Sequence, residues 1–476
     1  MVHRKDADRN EKMDIRLDYS QMTAEFIGKK RGITEEDIAS VMPLAEKTTQ
    51  KITRERENNE LGFYNLPDDT KTVEKIIKLA ANLRQKCDDL IVLGIGGSAL
   101  GGIALFKALC HPLHNLLPKE KRKAPRVFFL DNVDPVMCRA VFNQVNPAKT
   151  VVAVVSKSGT TVETVSQFLI VRELMEKKPG KSAAAEKIVV ITDDKPNPLR
   201  DLARQSGYHF LPVPANVGGR FSVLSPVGLF PAAMLGIDIA GLLAGARYMA
   251  EKCKTDNIRQ NPAYTAGIMH YIADVKKGLY IAVTMPYCEG LRETAYWYRQ
   301  ILAESLGKAK DLNGKTVNVG QTPVVAPGAT DQHSQLQLYM EGPFDKMVTF
   351  WLVEKHHSDL AIPAVKDKDF KYLSGHSLGK ILNVEAQATQ LALTGAGRSS
   401  MTLTIPELNP FTLGQLFFLL ELQIYFTGGL YNINPLDQPG VEAGKRYTQG
   451  ILGRPDFADQ AKEIERWRRK IKSDRK

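Results

Sequence analysis

The chain has 476 residues, 43% hydrophobic and 25% charged, with a net charge of +11 and a pI near 9.2. These values are ordinary for a soluble globular protein, and at about 150 residues per domain they give two or three units that fold without covalent staples. The positive charge suits anionic partners, but its clusters at Lys119–Lys123 and Arg466–Lys472 lack the aromatic-interleaved basic pattern of an RNA-binding sheet, so no nucleic acid is expected.

Met1–Arg16 is charged and has no apolar signal region. Residues 1–70 read as an extension of short helices and turns, with a loop at Pro67-Asp68-Asp69. Apolar runs then alternate with helical patterns. Leu90–Ile95, Arg126–Leu130, Thr150–Val155, Lys187–Thr192 and His209–Val213 are predicted strands, and Glu163–Lys177 is a predicted helix. Such strands, apolar on both faces, predict a mainly parallel sheet covered on each side. A helical stretch, Gly228–Lys254, leads to a second α/β block. That block has strands at Leu279–Met285, Met347–Val353 and Met401–Ile405, and helices at Arg292–Leu306, Leu413–Phe426 and Val441–Leu452.

The expected division is 1–70, 71–250, 251–452 and a basic tail, 453–476, with the central boundary near residues 245–260. Phe411–Phe426 contains Gln415, Glu421 and Gln423, so it reads as a buried helix and no membrane span is expected. Five cysteines without a Cys-x-x-Cys pair fit free thiols in a reducing, cytoplasmic setting.

Two strand ends carry chemistry. Gly94-Ile95-Gly96-Gly97-Ser98-Ala99 lets backbone approach a ligand at a helix start. It also satisfies G-x-G-x-x-A, but the acidic residue expected about 20 positions on arrives late, as Asp131, so a nucleotide cofactor is disfavoured. Ser156-Lys157-Ser158-Gly159-Thr160-Thr161 places four hydroxyls at a second helix start, where each can cap the helix or donate to a phosphate. A dinucleotide has no need of this second loop, whereas a sugar phosphate does.

The two loops resemble the sugar isomerase (SIS) domain. Val217-Gly218-Gly219-Arg220-Phe221-Ser222 and Leu436-Asp437-Gln438-Pro439-Gly440-Val441-Glu442-Ala443-Gly444-Lys445 are similar to the two diagnostic motifs of the glucose-6-phosphate isomerase family. Gln300 through Glu304-Ser305-Leu306-Gly307-Lys308, and Asp331-Gln332-His333, resemble it as well. One departure is Ser158-Gly159, where many relatives have Thr-Phe.

The resemblance implies two SIS-type three-layer α/β/α domains and an isomerase that interconverts aldose and ketose phosphates through ring opening and an enediolate, without metal or cofactor. It implies that Glu304 carries the proton between C2 and C1, that Arg220 stabilises the intermediate, and that His333 and Lys445 open the sugar ring. Gln300 and Glu304, four apart, share one helix face. Gly97, Ser98, Gln300 and Gln438 would bind the sugar, and Ser156, Lys157, Ser158, Thr160 and Thr161 the phosphate. In the family the matching histidine comes from the neighbouring subunit, so a homodimer is implied. The other eight histidines, including His356, His357 and His376, read as polar surface. No His/Cys/Asp cluster has metal-ligand spacing. A bifunctional phosphoglucose/phosphomannose isomerase, a non-catalytic phosphosugar regulator and a nicotinamide oxidoreductase are the alternative readings.

Overall fold

The computed structural model describes residues 10–178, 180–255 and 257–473, so the amino-terminal charged run is seen only from Asn10 and the basic tail only to Ser473. The chain falls into two compact units, Met1–Pro435 and Leu436–Lys476.

In the first unit, β1 (Arg16–Asp18) opens the described strands. A five-stranded sheet is built from β2 (Asp89–Leu93), β3 (Arg126–Leu130), β4 (Thr150–Val155), β5 (Ile188–Asp193) and β6 (His209–Val213), in the order β3-β2-β4-β5-β6. All its pairings are parallel. Ile91, Leu93, Val152 and Val154 join one core cluster with Phe168, Val171 and Leu199 from the covering helices. The alternate residues Leu90, Val92, Val151 and Ala153 are also fully buried. Since successive strand residues face opposite sides, both faces are covered, as the unbroken apolar runs predict.

The second sheet uses β7 (Ile281–Pro286), β10 (Thr322–Val325), β11 (Lys346–Lys355) and β12 (Ser400–Glu407), in the order β1-β12-β11-β7-β10. A separate antiparallel ribbon pairs β8 (Lys308–Lys310) with β9 (Thr316–Val319). The two large sheets share one winding. The first strand of each block lies inside, the second flanks it on one side, the third on the other, and the fourth lies beyond the third. They differ at the fifth position, which is parallel β6 in one sheet and antiparallel β1 in the other.

The amino-terminal segment differs from the expected short helices. It donates β1 to the second sheet, and Glu35–Glu57 is a 23-residue helix with a Thr34/Asp37 capping box. Its buried stripe, Ile38, Val41, Ala45, Thr48, Thr49 and Ile52, keeps helical spacing, but the threonines and Pro43 within the helix dilute the apolar signal. Pro67-Asp68-Asp69 is a helix junction rather than an open loop, because Leu66–Asp68 is a 3-10 turn and Asp69 accepts from Thr72 N at 3.1 Å to cap Thr70–Gln85. Gly228–Lys254 divides into Pro226–Met234 and Ile239–Lys252 at Gly236, whose φ is +78°. Two histidines are core rather than surface: His114 bonds Pro125 O at 3.0 Å, and His270 bonds Gln321 Oε1 at 2.7 Å with its pKa lowered by burial to about 4.

The apolar helix Pro410–Leu430 is buried along nearly its whole length, from Thr412 to Gly428. Two glycines let it cross Ile239–Lys252 closely: a Cβ on Gly245 would lie 1.8 Å from Phe411 O, and one on Gly414 would lie 1.9 Å from Leu242 O. Its Gln415 bonds Met13 O and Ile15 N, which ties the amino-terminal segment to the core. All five cysteines are free.

In the second unit, Glu442–Ile451 and Ala458–Ser473 are helices that meet where Gly450 approaches Phe457 O. Trp467 and Ile471, on the second of these helices, are exposed.

Gly245→Ala is expected to cost about 2 kcal/mol despite its better helix propensity, because the carbonyl of Phe411 cannot give way. Gly395→Ala, at the end of the Leu378–Gly395 helix with open space around the new methyl, is expected to be neutral or slightly stabilising. Urea midpoints followed by circular dichroism check this, and equal midpoints for the two variants would contradict it.

Candidate active site

The first sheet changes its winding direction between β2 and β4. In an open parallel sheet this opens a crevice at the strands' carboxyl ends, where ligands bind. The two chemistry-bearing loops leave the sheet at that crevice.

After β2 the chain makes a 3-10 turn, Gly96–Ser98, with Gly96 at φ +58°. A Cβ on Gly97 would stand 2.3 Å from Gly219 O and 2.6 Å from Arg220 N, and one on Gly96 would stand 3.0 Å from Gln300 Nε2. The glycines therefore admit the Arg220 segment and the Gln300 side chain as well as any ligand. Half-buried Ser98 closes the turn. Ser222 Oγ donates to Gly219 O at 2.6 Å and reaches Gly97 O at 3.4 Å.

After β4 the hydroxyls bond one another. Ser156 Oγ lies 2.8 Å from Thr161 Oγ1, Ser158 Oγ lies 3.5 Å from it, and Thr160 Oγ1 donates to Ser158 Oγ at 3.2 Å. Thr161 holds the N-cap position of Val162–Lys177 but makes no side-chain cap bond. The helix start thus lacks a side-chain acceptor, and an anion would complete it. Lys157 turns elsewhere: its Nζ donates to Ala215 O at 2.8 Å and to Val217 O at 2.6 Å, and burial pushes its pKa below the usual lysine range.

Gly159 has φ +68°, and a Cβ there would overlap Asn197 Oδ1 at 2.0 Å. Asn197 caps Pro198–Ser206 through Arg200 N at 3.0 Å and donates to Asp193 O and Lys195 O. This residue was not singled out from the sequence. Its only signal is an Asn immediately before a Pro at a helix start, which marks a cap and not a neighbour of the phosphate loop.

Arg220 sits in the 3-10 turn Gly219–Phe221 and is 3% exposed. Its Nε donates to Ser305 Oγ at 2.7 Å, its Nη2 donates to Pro435 O, and its Nη1 lies 3.5 Å from Glu304 Oε2. Glu304 keeps 26% side-chain exposure, so its carboxylate is reachable from the crevice. Gln300 Nε2 donates to the same Oε2 at 3.2 Å, while Gln300 Oε1 is buried with no partner among the described residues. An orphan acceptor beside a carboxylate suits a ligand hydroxyl. Lys308 Nζ bonds the carbonyls of Glu304 and Ser305, which fixes the end of the Arg292–Leu306 helix.

The remaining expected residues stand on other elements. Exposed His333 ends the 3-10 turn Thr330–His333 that follows β10, beside Gln332, which accepts from Tyr287 Oη at 2.6 Å. No hydrogen bond or ion pair among the described residues links His333 to Glu304 or Arg220. Gln438 and Lys445 belong to the second unit, where exposed Lys445 pairs with Glu442 at 2.8 Å. Among the described residues, no group of three or more His, Cys, Asp or Glu side chains is arranged to hold a metal.

Gly159→Ala is expected to weaken orthophosphate binding by about tenfold, since both φ and the Asn197 contact oppose a methyl. Gly180→Ala, at φ +86° in open space, serves as the control. Isothermal titration calorimetry decides, and equal affinities in both variants would contradict the packing argument.

The chain is similar over nearly its whole length to known proteins. The phosphoglucose isomerase family profile matches residues 11–466. A glucose-6-phosphate isomerase of Carboxydothermus hydrogenoformans is 42% identical over 455 residues, covering 95% of this chain and 97% of that one. One of Rubrobacter xylanophilus is 40% identical over 447 residues, covering 93% and 99%. Among solved structures, a hypothetical protein from Thermus thermophilus superposes with a TM-score of 0.82 at 35% identity, covering 92% of this chain and all of that one. By these similarities the chain belongs to the phosphoglucose isomerase family.

Proposed function

We propose that the protein interconverts glucose 6-phosphate and fructose 6-phosphate, the reaction named for its relatives, with Glu304 as the proton carrier. The observation that carries this reading is the triad of Arg220, Glu304 and Gln300 beside the Gly96–Ser98 turn. It offers one reachable carboxylate, a permanent positive charge 3.5 Å from it, and an unpartnered amide oxygen.

Ser156, Ser158, Thr160 and Thr161 take the phosphate at the helix start. Gly97, Ser98, Gln300 and Gln438 hold the sugar. His333 and Lys445 transfer protons at the ring oxygen and the anomeric hydroxyl. Glu304 then removes the C2 proton and returns it at C1 on the same face, which a single carboxylate can do. Arg220 faces the negative oxygen that develops in the enediolate, and being buried and already bonded it needs little reorganisation to do so. No metal or nucleotide enters this scheme. The setting is the cytoplasm, in glycolysis and gluconeogenesis, and the two large sheets are read as two SIS-type domains.

The active species is a homodimer in which His333 completes the neighbouring site. In support, His333 is exposed and lies outside the Glu304 bonding cluster.

Glu304→Gln is expected to lower kcat by about a thousandfold while KM stays within roughly threefold, because the amide keeps the shape but cannot accept the proton. A coupled assay from fructose 6-phosphate to glucose 6-phosphate measures both, and full turnover in the variant would remove Glu304 from the mechanism.

Mixing Glu304→Gln and His333→Ala subunits tests the dimer. If His333 acts on its neighbour, every hybrid holds one intact site and activity returns after refolding the mixture. If both groups act within one chain, the mixture stays as inactive as its parents.

A further inference from the structure

We infer that Lys157 is a positioning residue that couples the phosphate loop to Arg220, rather than a ligand to the phosphate. The inference rests on the proposed reading of the site, because it concerns how the two halves of that site are held together.

Three observations carry it. First, the ammonium is committed: it donates to Ala215 O at 2.8 Å and Val217 O at 2.6 Å, two carbonyls on the segment that follows β6. Reaching a phosphate would break both bonds, and the one to buried Val217 would leave its carbonyl without the ammonium in a place that water reaches poorly.

Second, Lys157 is held from its other end. Its own carbonyl accepts from Asp193 N and from Thr192 Oγ1, each at 3.2 Å, at the end of β5. One residue therefore bridges the carboxyl ends of β4, β5 and β6. Third, the segment it grips leads directly into the catalytic turn. Val217 is fully buried, Phe221 N bonds Gly218 O at 3.0 Å, and the Gly219–Arg220 backbone packs within 2.6 Å of where a Gly97 Cβ would stand. The path from the phosphate hydroxyls to the guanidinium is Lys157 Nζ, Val217 O and the Gly218–Gly219 main chain.

When a phosphate orders the Ser156–Thr161 loop, this strut transmits the ordering to the residues that place Arg220 against Glu304. The phosphate handle would then act on the reacting carbons as well as hold the substrate, and part of its binding free energy would go into transition-state alignment.

The test is hydrogen exchange, read by mass spectrometry on peptides spanning 214–222, with and without saturating orthophosphate. It compares the wild-type chain, Lys157→Met, which keeps the length and removes the donors, and Lys157→Arg, which can donate to both carbonyls. The strut predicts that orthophosphate slows exchange of this segment in the wild type and in Lys157→Arg but not in Lys157→Met. It also predicts that Lys157→Met binds orthophosphate within about threefold of wild type. A loss of orthophosphate affinity of about tenfold or more in Lys157→Met would make the ammonium a direct ligand and overturn the inference. Equal protection of the segment in all three chains would overturn it as well. Should Lys157→Met fail to fold, Lys157→Gln, with a donor for one carbonyl, takes its place under the same two criteria. None of these readouts requires turnover, so a wild-type protein without isomerase activity would sink the Glu304 reading and leave this one to be judged separately.

Discussion

A guanidinium that is 3% exposed must have its donors met inside the protein, and much of the first unit around Arg220 is arranged to meet them. Ser305 takes Nε, the carbonyl of Pro435 takes Nη2, and Glu304 lies beside Nη1. Ser305 and Glu304 come from the helix of the second block, whereas Arg220 follows the first sheet. The buried charge is therefore also the clamp that brings the two blocks' chemistry together. Gly97 follows from the same demand, because a Cβ there would stand 2.3 Å from Gly219 O and 2.6 Å from Arg220 N and keep the first loop from closing over the arginine's backbone.

The two sheets share one winding but carry different side chains at their ends. In the first sheet the reversal between β2 and β4 is furnished with glycines and hydroxyls, the place proposed for the phosphate. In the second, the helix that follows β7 carries Gln300 and Glu304 on one face, and its end is fixed by Lys308. On the proposed reading, anchoring and proton transfer thus sit on separate sheets of one unit.

Much of this was legible in the sequence because the parallel strands are continuous apolar runs. Arg126–Leu130, Thr150–Val155, His209–Val213 and the Arg292–Leu306 helix match their predicted limits. What escaped did so for physical reasons. β1 and β10 are three and four residues long at sheet edges, too short for periodicity to register. The Glu35–Glu57 helix hides its buried stripe among threonines. His114 and His270 pass for polar surface because a single bonded histidine in a core leaves no sequence pattern. At the site, residue types and loop positions could be read, but side-chain direction could not. Lys157 looks like a phosphate ligand in the sequence, yet its ammonium points to two carbonyls. Asn197 carried no sign of its contact with Gly159, which depends on how the ends of β4 and β5 meet in space.

The central claim is that one carboxylate moves a proton through an enediolate. Converting glucose 6-phosphate labelled with deuterium at C2, in ordinary water, tests it most directly. The account predicts that part of the deuterium is lost to solvent, because a label held on Glu304 can exchange before it is returned to C1. Complete retention of deuterium at C1 throughout the conversion would indicate a direct hydride shift and would contradict the account.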